Sequence, residues 1–381
     1  MLPPNFVRKI QMNISKNYID SLKGGLLINA NCIEEMKTMD ANIYDSCVID
    51  PPYGIDFLGK KWDCFEAKEF QEWCTEWATQ ALRVLKPGGH MLSFGHTRTY
   101  HRMVCGLENA GCEIRDTLAW INGQGYPKSK NLANEIDKLY GCSNRGHAVA
   151  TASKFHASTG LPLPSGQKLT KYQPRTKYSQ GWEGWGTGLK PAMELICLAR
   201  KPLTENSLAE NTLKWGTCGL NIDASRVSLD SQKDVITEQY EKQGRWPANV
   251  LLDDEAGKLM NMQVAAPVSR FFYCAKASNA EKNAGLEHLN KVRRDKGTGV
   301  MSKKMVQPQQ NSHPTVKPIS LLRFLCKLIT PPNGVVIDCF MGSGSCGIAA
   351  RQEGFRYVGI ELEEPSFDIA KLRIEHWAKA A

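Results

Sequence analysis

The chain has 381 residues, 42% hydrophobic and 23% charged, which allows two or three domains with sizeable cores and argues against global disorder. No apolar run reaches the ~18 residues of a membrane span, and the opening MLPPNFVRKIQMNISKNY lacks the apolar segment of a secretory signal, so a cytoplasmic protein is expected. Thirteen cysteines without a CxxC pair read as reduced thiols, excluding a disulfide framework and a zinc site, and the net charge of +9 favours an anionic partner.

After an arm-like start of about 20 residues, Leu26-Leu27-Ile28 reads as a buried strand between turn residues. A short helix is predicted over 33–39. A second strand, Ser46-Cys47-Val48-Ile49, runs into Asp50-Pro51-Pro52-Tyr53-Gly54. Residues 65–85 carry Phe70, Trp73, Trp77, Ala81 and Leu85 at helical spacing, with Lys86-Pro87-Gly88-Gly89 as the stop. A strand at 90–94, a helix at 99–110 and a strand at 114–121 follow. Short apolar strands alternating with helices predict a mostly parallel α/β sheet.

The alternation then breaks. Residues 122–187 are rich in Gly, Ser, Lys, Thr and Pro and read as a long loop. A strand at 193–199 follows. The elements over 203–312 are short and irregular, as in a small separate domain, and 291–311 is polar and flexible in composition. Residues 121–312 hold 27 basic and 17 acidic residues, and the remainder 21 and 22. A polyanion partner suits that basic middle because each neutralised phosphate releases counterions, while a solvated lysine-rich surface is the plainer alternative. Alternation resumes with a helix at 318–329, a strand at 335–337, a helix at 345–353, a strand at 357–360 and a helix at 365–377. That βαβα order belongs to a nucleotide-binding half-sheet.

Two segments carry chemistry. VVIDCFMGSGS is a strand, a tight turn with Gly342 and Gly344, and a helix start, a geometry that lets a ligand approach the main chain. The next strand closes on Glu361, near the offset at which an acid holds ribose hydroxyls. The turn is neither GxGxxG nor a GK[ST] phosphate loop, which disfavours NAD and ATP and leaves an adenosine-containing cofactor without a diphosphate. Asp50-Pro51-Pro52-Tyr53 follows a strand directly, where α/β sheets place active sites. A carboxylate and an adjacent carbonyl can accept the two N–H bonds of an exocyclic amine while the aromatic ring stacks on its heterocycle. A plain Asp-Pro surface turn is the alternative.

DPPY together with FMGSGS resembles the S-adenosylmethionine-dependent amino-methyltransferases of DNA, which modify N6 of adenine or N4 of cytosine. The DPPY block comes first by almost 300 residues, which looks like the permuted β group in phage or mobile-element form. LLINANCIEEMKTM, LKPGGHMLSF, LAWINGQGYPKSKN, GLKPAMELICLARKP and NSHPTVKP resemble further family blocks, and RWPANVLLDDE and SRFFYCAKAS resemble segments of the phage members. The resemblance implies a Rossmann-like sheet, mostly parallel with one antiparallel strand, and an inserted target-recognition region. It divides the chain into a catalytic half at 1–202, a recognition region at 203–312 and a cofactor half at 313–381. It assigns Asp50, Pro51, Pro52 and Tyr53 to catalysis. It assigns Asp338, Phe340, Gly342, Gly344, Ser345, Glu361, Thr315 and Lys317 to S-adenosylmethionine. Asn31 stands where the family often has an acid, and Ser345 where a threonine is common.

The implied reaction is direct in-line methyl transfer to N6 of a flipped adenine in double-stranded DNA, without a metal. The chain lacks the Pro-Cys context of 5-methylcytosine enzymes. Alternatives are an N4-cytosine enzyme, which more often has Ser at position 50, an RNA N6-adenine enzyme, a DNA-binding protein without catalysis, and an NAD enzyme. Partners are expected to be duplex DNA and no membrane, with a homodimer compatible. No nuclease motif is present, so a solitary enzyme of a prokaryotic cell or phage-infected host is expected. Trp62 and Asp63 are candidate substrate contacts. His96 and His101 read as surface histidines, and Trp182 and Trp185 either stack on bases or anchor their Gly-rich loop.

Overall fold

A computed structural model describes residues 17–20, 24–56, 61–123, 129–142, 147–149, 169–228, 244–264, 268–275, 279–289, 310–311, 313 and 316–379. The chain divides into two compact units, Met1–Ile121 with Glu194–Ala381, and Asn122–Met193.

In the larger unit the strands are β1 (Asn17–Asp20), β2 (Gly25–Asn29), β3 (Tyr44–Ile49), β4 (Leu85–Gly95) and β5 (Glu113–Ile121). The smaller unit holds β6 (His147–Val149) and β7 (Leu169–Lys171). The larger unit is completed by β8 (Met193–Arg200), β9 (Val250–Asp253), β10 (Tyr273–Ala275), β11 (Val335–Asp338) and β12 (Arg356–Glu361). Its sheet runs β1-β2-β12-β11-β3-β4-β8-β5-β9-β10. The pairs β2–β12, β12–β11, β11–β3, β3–β4, β5–β9 and β9–β10 are parallel. β8 runs antiparallel to β4, as expected, and β1, read as part of a loose arm, adds a second antiparallel pairing on β2.

The alternation of side chains along each strand builds two cores, one per face. On β3, Val48 joins Leu325, Ile329 and Ile348 from the helices Ile319–Ile329 and Ser345–Gln352. Cys47 and Ile49 join Phe70, Trp77 and Ala81 from the helix Ala67–Val84. That helix ends one residue before β4 begins, and Lys86-Pro87-Gly88-Gly89 continues as strand rather than loop. Gly88 takes φ +78°, and a side chain there would press into Asn211.

The described part of 203–312 does not fold apart, so the boundaries expected at 202 and 313 are not boundaries between compact units. Its apolar segments complete the sheet instead of building a core of their own. Val250, Leu251 and Leu252 pair with 119–121 of β5. The helix Leu208–Trp215 and the turn after it clamp Pro87, whose carbonyl accepts from Asn211 Nδ2 at 2.9 Å and Thr217 Oγ1 at 2.5 Å. The flexible stretch expected over 291–311 lies almost wholly outside the described residues.

The long loop expected at 122–187 is instead part of the smaller unit, whose described residues form the helices Leu132–Leu139 and Lys177–Gln180 and the β6–β7 hairpin. Polar capping organises it. Asn131 caps the first helix through Asn134 N, and the buried Asp137 accepts from Arg175 N at 2.8 Å, Thr176 N at 3.1 Å and Thr176 Oγ1 at 2.9 Å.

Candidate active site

β3 and β11 are parallel neighbours, Ser46 facing Val336 and Cys47 facing Ile337. Their C-terminal ends carry Asp50 and the turn at Gly342 to one cavity of about 330 Å³, so the two motifs meet despite their separation in sequence. Asp50, Pro52, Trp62, Lys317, Asp338, Phe340, Gly342, Ser345 and Glu361 line it. Pro51 is buried and Tyr53 packs against the core on one face of the sheet; neither is among the residues that line the cavity. Thr315 lies outside the described residues.

Four polar side chains converge at the catalytic end. Tyr53 Oη, with one proton to donate, lies 2.7 Å from Asp50 Oδ1 and 3.1 Å from Glu194 Oε2. Lys317 Nζ donates to Asp50 Oδ2 at 2.6 Å and lies 3.1 Å from Tyr53 Oη and 3.4 Å from Glu194 Oε2. Burial raises the Asp50 carboxyl, with Lys317 opposing the shift. Burial alone would lower Lys317, but Asp50 and Glu194 outweigh it and hold the ammonium charged. Burial and both carboxylates push the Tyr53 phenol far up, so it stays protonated. An ionised carboxylate offers about four lone-pair sites. Asp50 therefore keeps acceptor capacity for an incoming amine.

The turn itself is held from below. The fully buried Asp63 accepts from Tyr53 N at 2.7 Å, Gly54 N at 2.7 Å and Ile55 N at 3.2 Å. Thr99 Oγ1 donates to the Tyr53 carbonyl at 2.6 Å. Gly54 adopts φ +64°, and a side chain there would strike the Phe70 ring. Asp63, expected as a substrate contact, is thus spent on the backbone of the turn, while Trp62 does reach the cavity. The His96 ring stands 6.1 Å from that of Tyr53, and His101 is exposed on the helix Tyr100–Asn109.

At the other end, Glu361 Oε2 accepts from Gly342 N at 2.7 Å and Oε1 from Glu363 N at 2.8 Å. Burial raises Glu361 to about 7 and Asp338 to about 8. Gly342, at φ +54°, leaves room that a side chain would take from His313. Gly344 does not line the cavity. Its φ of +79° opens the helix Ser345–Gln352, and its bare Cα lets Ala370 and Ile374 pack close. Beneath the turn the fully buried Arg373 donates to Ser343 Oγ at 2.9 Å and Ser345 Oγ at 3.0 Å. Asn31 lines the cavity, but its side chain caps the helix Cys32–Thr38 through Ile33 N and Glu34 N. A hydrogen bond with Cys339, and then burial, raises the Cys32 thiol, burial raises that of Cys339, and a hydrogen bond with Cys326, then burial, raises that of Cys346, so none of the three cavity cysteines is a ready nucleophile.

Glu194, Arg373 and the positioning role of Asp63 escaped the sequence reading. The only signal for Glu194 was an acid opening an otherwise apolar strand.

A family model described as DNA methylase, of the N6/N4 methyltransferases, matches residues 44–372. The Type II methyltransferase M.HindIII of Haemophilus influenzae is 21% identical over 91% of this chain and 94% of its own length. The Type II methyltransferase M2.DpnII of Streptococcus pneumoniae is 36% identical over a local stretch, 24% of this chain and 34% of its own. Among solved structures, PvuII DNA methyltransferase (cytosine-N4-specific) aligns over 96% of this chain and 95% of its own at TM-score 0.50 and 13% identity, a likeness of fold. Because the family match spans most of the sequence and includes both motifs that meet at the cavity, the chain belongs to the N6/N4 amino-methyltransferases of DNA.

Proposed function

We propose that this chain methylates N6 of adenine in duplex DNA, using S-adenosylmethionine. The observation that carries the base assignment is the identity of residue 50, an Asp lining the cavity where the N4-cytosine enzymes that the sequence resembles more often have Ser. The cofactor fits the other end. Two acids, the buried Asp338 and the half-buried Glu361, line the cavity beside apolar side chains such as Ile33, Phe340 and Met341, an arrangement that favours a cationic, hydroxyl-bearing ligand. Asp338, Phe340 and Gly342 would hold its methionine part and Glu361 its ribose, with Lys317 and Ser345 also lining the cavity. When bound, it supplies an electrophilic methyl group on a sulfonium.

The protein's share is positioning. A target base leaves the stack at a cost of a few kcal/mol, and stacking on Tyr53 returns ~1–3 kcal/mol of it. Asp50 and the Pro51 carbonyl accept the two amine N–H bonds and aim the nitrogen lone pair at the methyl group. An amine that has accepted the methyl group would be cationic and would have to lose a proton. Asp50 takes it. The Tyr53 hydroxyl, bridging Asp50 and Glu194, passes a proton on to a carboxylate whose side chain is 30% exposed. Nucleoside mass spectrometry of DNA treated with the protein and S-adenosylmethionine tests the reading. N6-methyladenine is the expected product, and N4-methylcytosine would move the assignment to the other base.

A further inference from the structure

The positive charge is concentrated away from the region expected to read the target. Asn122–Met193 holds ten basic and three acidic residues, a net of +7 out of +9 for the chain, whereas 203–312 holds fifteen and thirteen. On the described surface of this smaller unit four large aromatic side chains face solvent. Tyr140, Tyr178, Trp182 and Trp185 are 55, 53, 42 and 60% exposed. They form two pairs. The tyrosine rings stack at 5.0 Å and 11°, with the Lys177 ammonium 5.1 Å from the centre of Tyr178. The tryptophans meet edge to face at 5.3 Å.

Backbone bonds hold the Gly-rich turn. Trp182 N donates to Ser179 O at 3.0 Å, Trp185 N to Trp182 O at 3.2 Å, and Leu132 N to Trp185 O at 3.0 Å. Thr187 N donates to Ser129 Oγ at 2.9 Å, and Lys130 N to Thr187 Oγ1 at 3.0 Å. The tryptophans are therefore displayed rather than used as anchors. An exposed aromatic patch on a pinned backbone is a prepared binding surface, because little ordering remains to be done on binding.

We propose that Trp182 and Trp185 form a stacking platform for bases unstacked when DNA is opened around the target, with the basic unit holding the phosphates. The inference rests on the DNA-methyltransferase reading and names a surface of the smaller unit that takes unstacked bases. An intact duplex hides its base faces, and base flipping exposes them. A second copy of the chain would bring a like charge to the same surface and be repelled, whereas a polyanion is attracted.

The test uses the full chain and labelled oligonucleotides of mixed sequence, as intact duplex, duplex with a central bulge, and single strand, titrated at several salt concentrations. W182A/W185A is expected to weaken binding of the bulged and single-stranded forms ~10- to 100-fold, leave the intact duplex within about threefold and keep the salt slope. W182F/W185F restores binding. K130Q/K177Q lowers the salt slope by up to about one per charge for all three forms. Cofactor binding by each variant, equal to that of the unmodified chain, shows that the fold is intact. It also separates the two claims: an unmodified chain that neither binds S-adenosylmethionine nor methylates DNA defeats the methyltransferase reading, whatever the tryptophans do. The platform is overturned if W182A/W185A binds opened DNA normally, if its loss is equal on intact duplex, or if it changes only the sedimenting mass.

Discussion

Lys317 donates a 2.6 Å hydrogen bond to Asp50 across 267 positions of sequence, tying the segment that leads into the cofactor half to the catalytic turn. The pair joins the two ends of the cavity. It also keeps a carboxylate that burial would neutralise supplied with a charged donor.

Asp50→Ala removes the acceptor for the amine and leaves the Gly342 turn and Glu361 in place. Turnover is expected to fall at least ~100-fold, the scale of losing a group that positions the reacting amine. Affinity for S-adenosylmethionine, measured by calorimetry, changes little. Near-normal turnover in this variant contradicts the clamp.

Tyr53→Phe keeps the stacking ring but cuts the bridge from Asp50 to Glu194. Binding of DNA is expected to hold while kcat falls about tenfold, within the range of a lost proton-transfer group. Glu194→Gln gives a similar loss in kcat with unchanged KM for DNA. If both variants keep the rate and pH profile of the unmodified chain, protons leave by another route.

Asp63→Ala strips three backbone amides of their buried acceptor. A loss of ~2–4 kcal/mol in stability, read as a lower Tm, is expected from hydrogen bonds to a charged group. Turnover falls with it, since Tyr53 is no longer held. Unchanged Tm and rate would mean that the turn holds itself.

Cofactor affinity is expected to rise with pH. Asp338 and Glu361 are raised to about 8 and about 7 by burial, so on the acid side they are protonated in the free chain. A cationic ligand favours their ionised forms, so binding releases protons and strengthens as pH climbs through that window. For the free chain the sign is opposite: acids raised in the folded state stabilise it at low pH, and that contribution is lost as pH rises through about 7 and 8. Calorimetry in buffers of different ionisation heat measures the proton count, and an affinity flat between pH 6 and 9 contradicts it.

Much of the sheet was legible because its strands are short apolar runs punctuated by Gly, Pro and Asn, and because Asp50 and Gly342 each follow such a run directly. The smaller unit was not legible as structure. It is organised by the buried Asp137, whose backbone partners Arg175 and Thr176 stand 38 and 39 positions on, a pairing that no local pattern announces. Glu194 and Arg373 escaped for a related reason: an acid opening an apolar strand and one of several charged residues on the helix Glu364–Lys379 announce neither a direction nor a partner. The positive charge of the middle segment lies in 122–193, at +7, rather than in the near-neutral 203–312 expected to read the target.

Nucleoside mass spectrometry of duplex DNA incubated with the chain and S-adenosylmethionine tests the central claim most directly. N6-methyladenine, lost in Asp50→Ala, is the predicted result. N4-methylcytosine as the main product, or no methylated base from a chain that binds both cofactor and DNA, would contradict it.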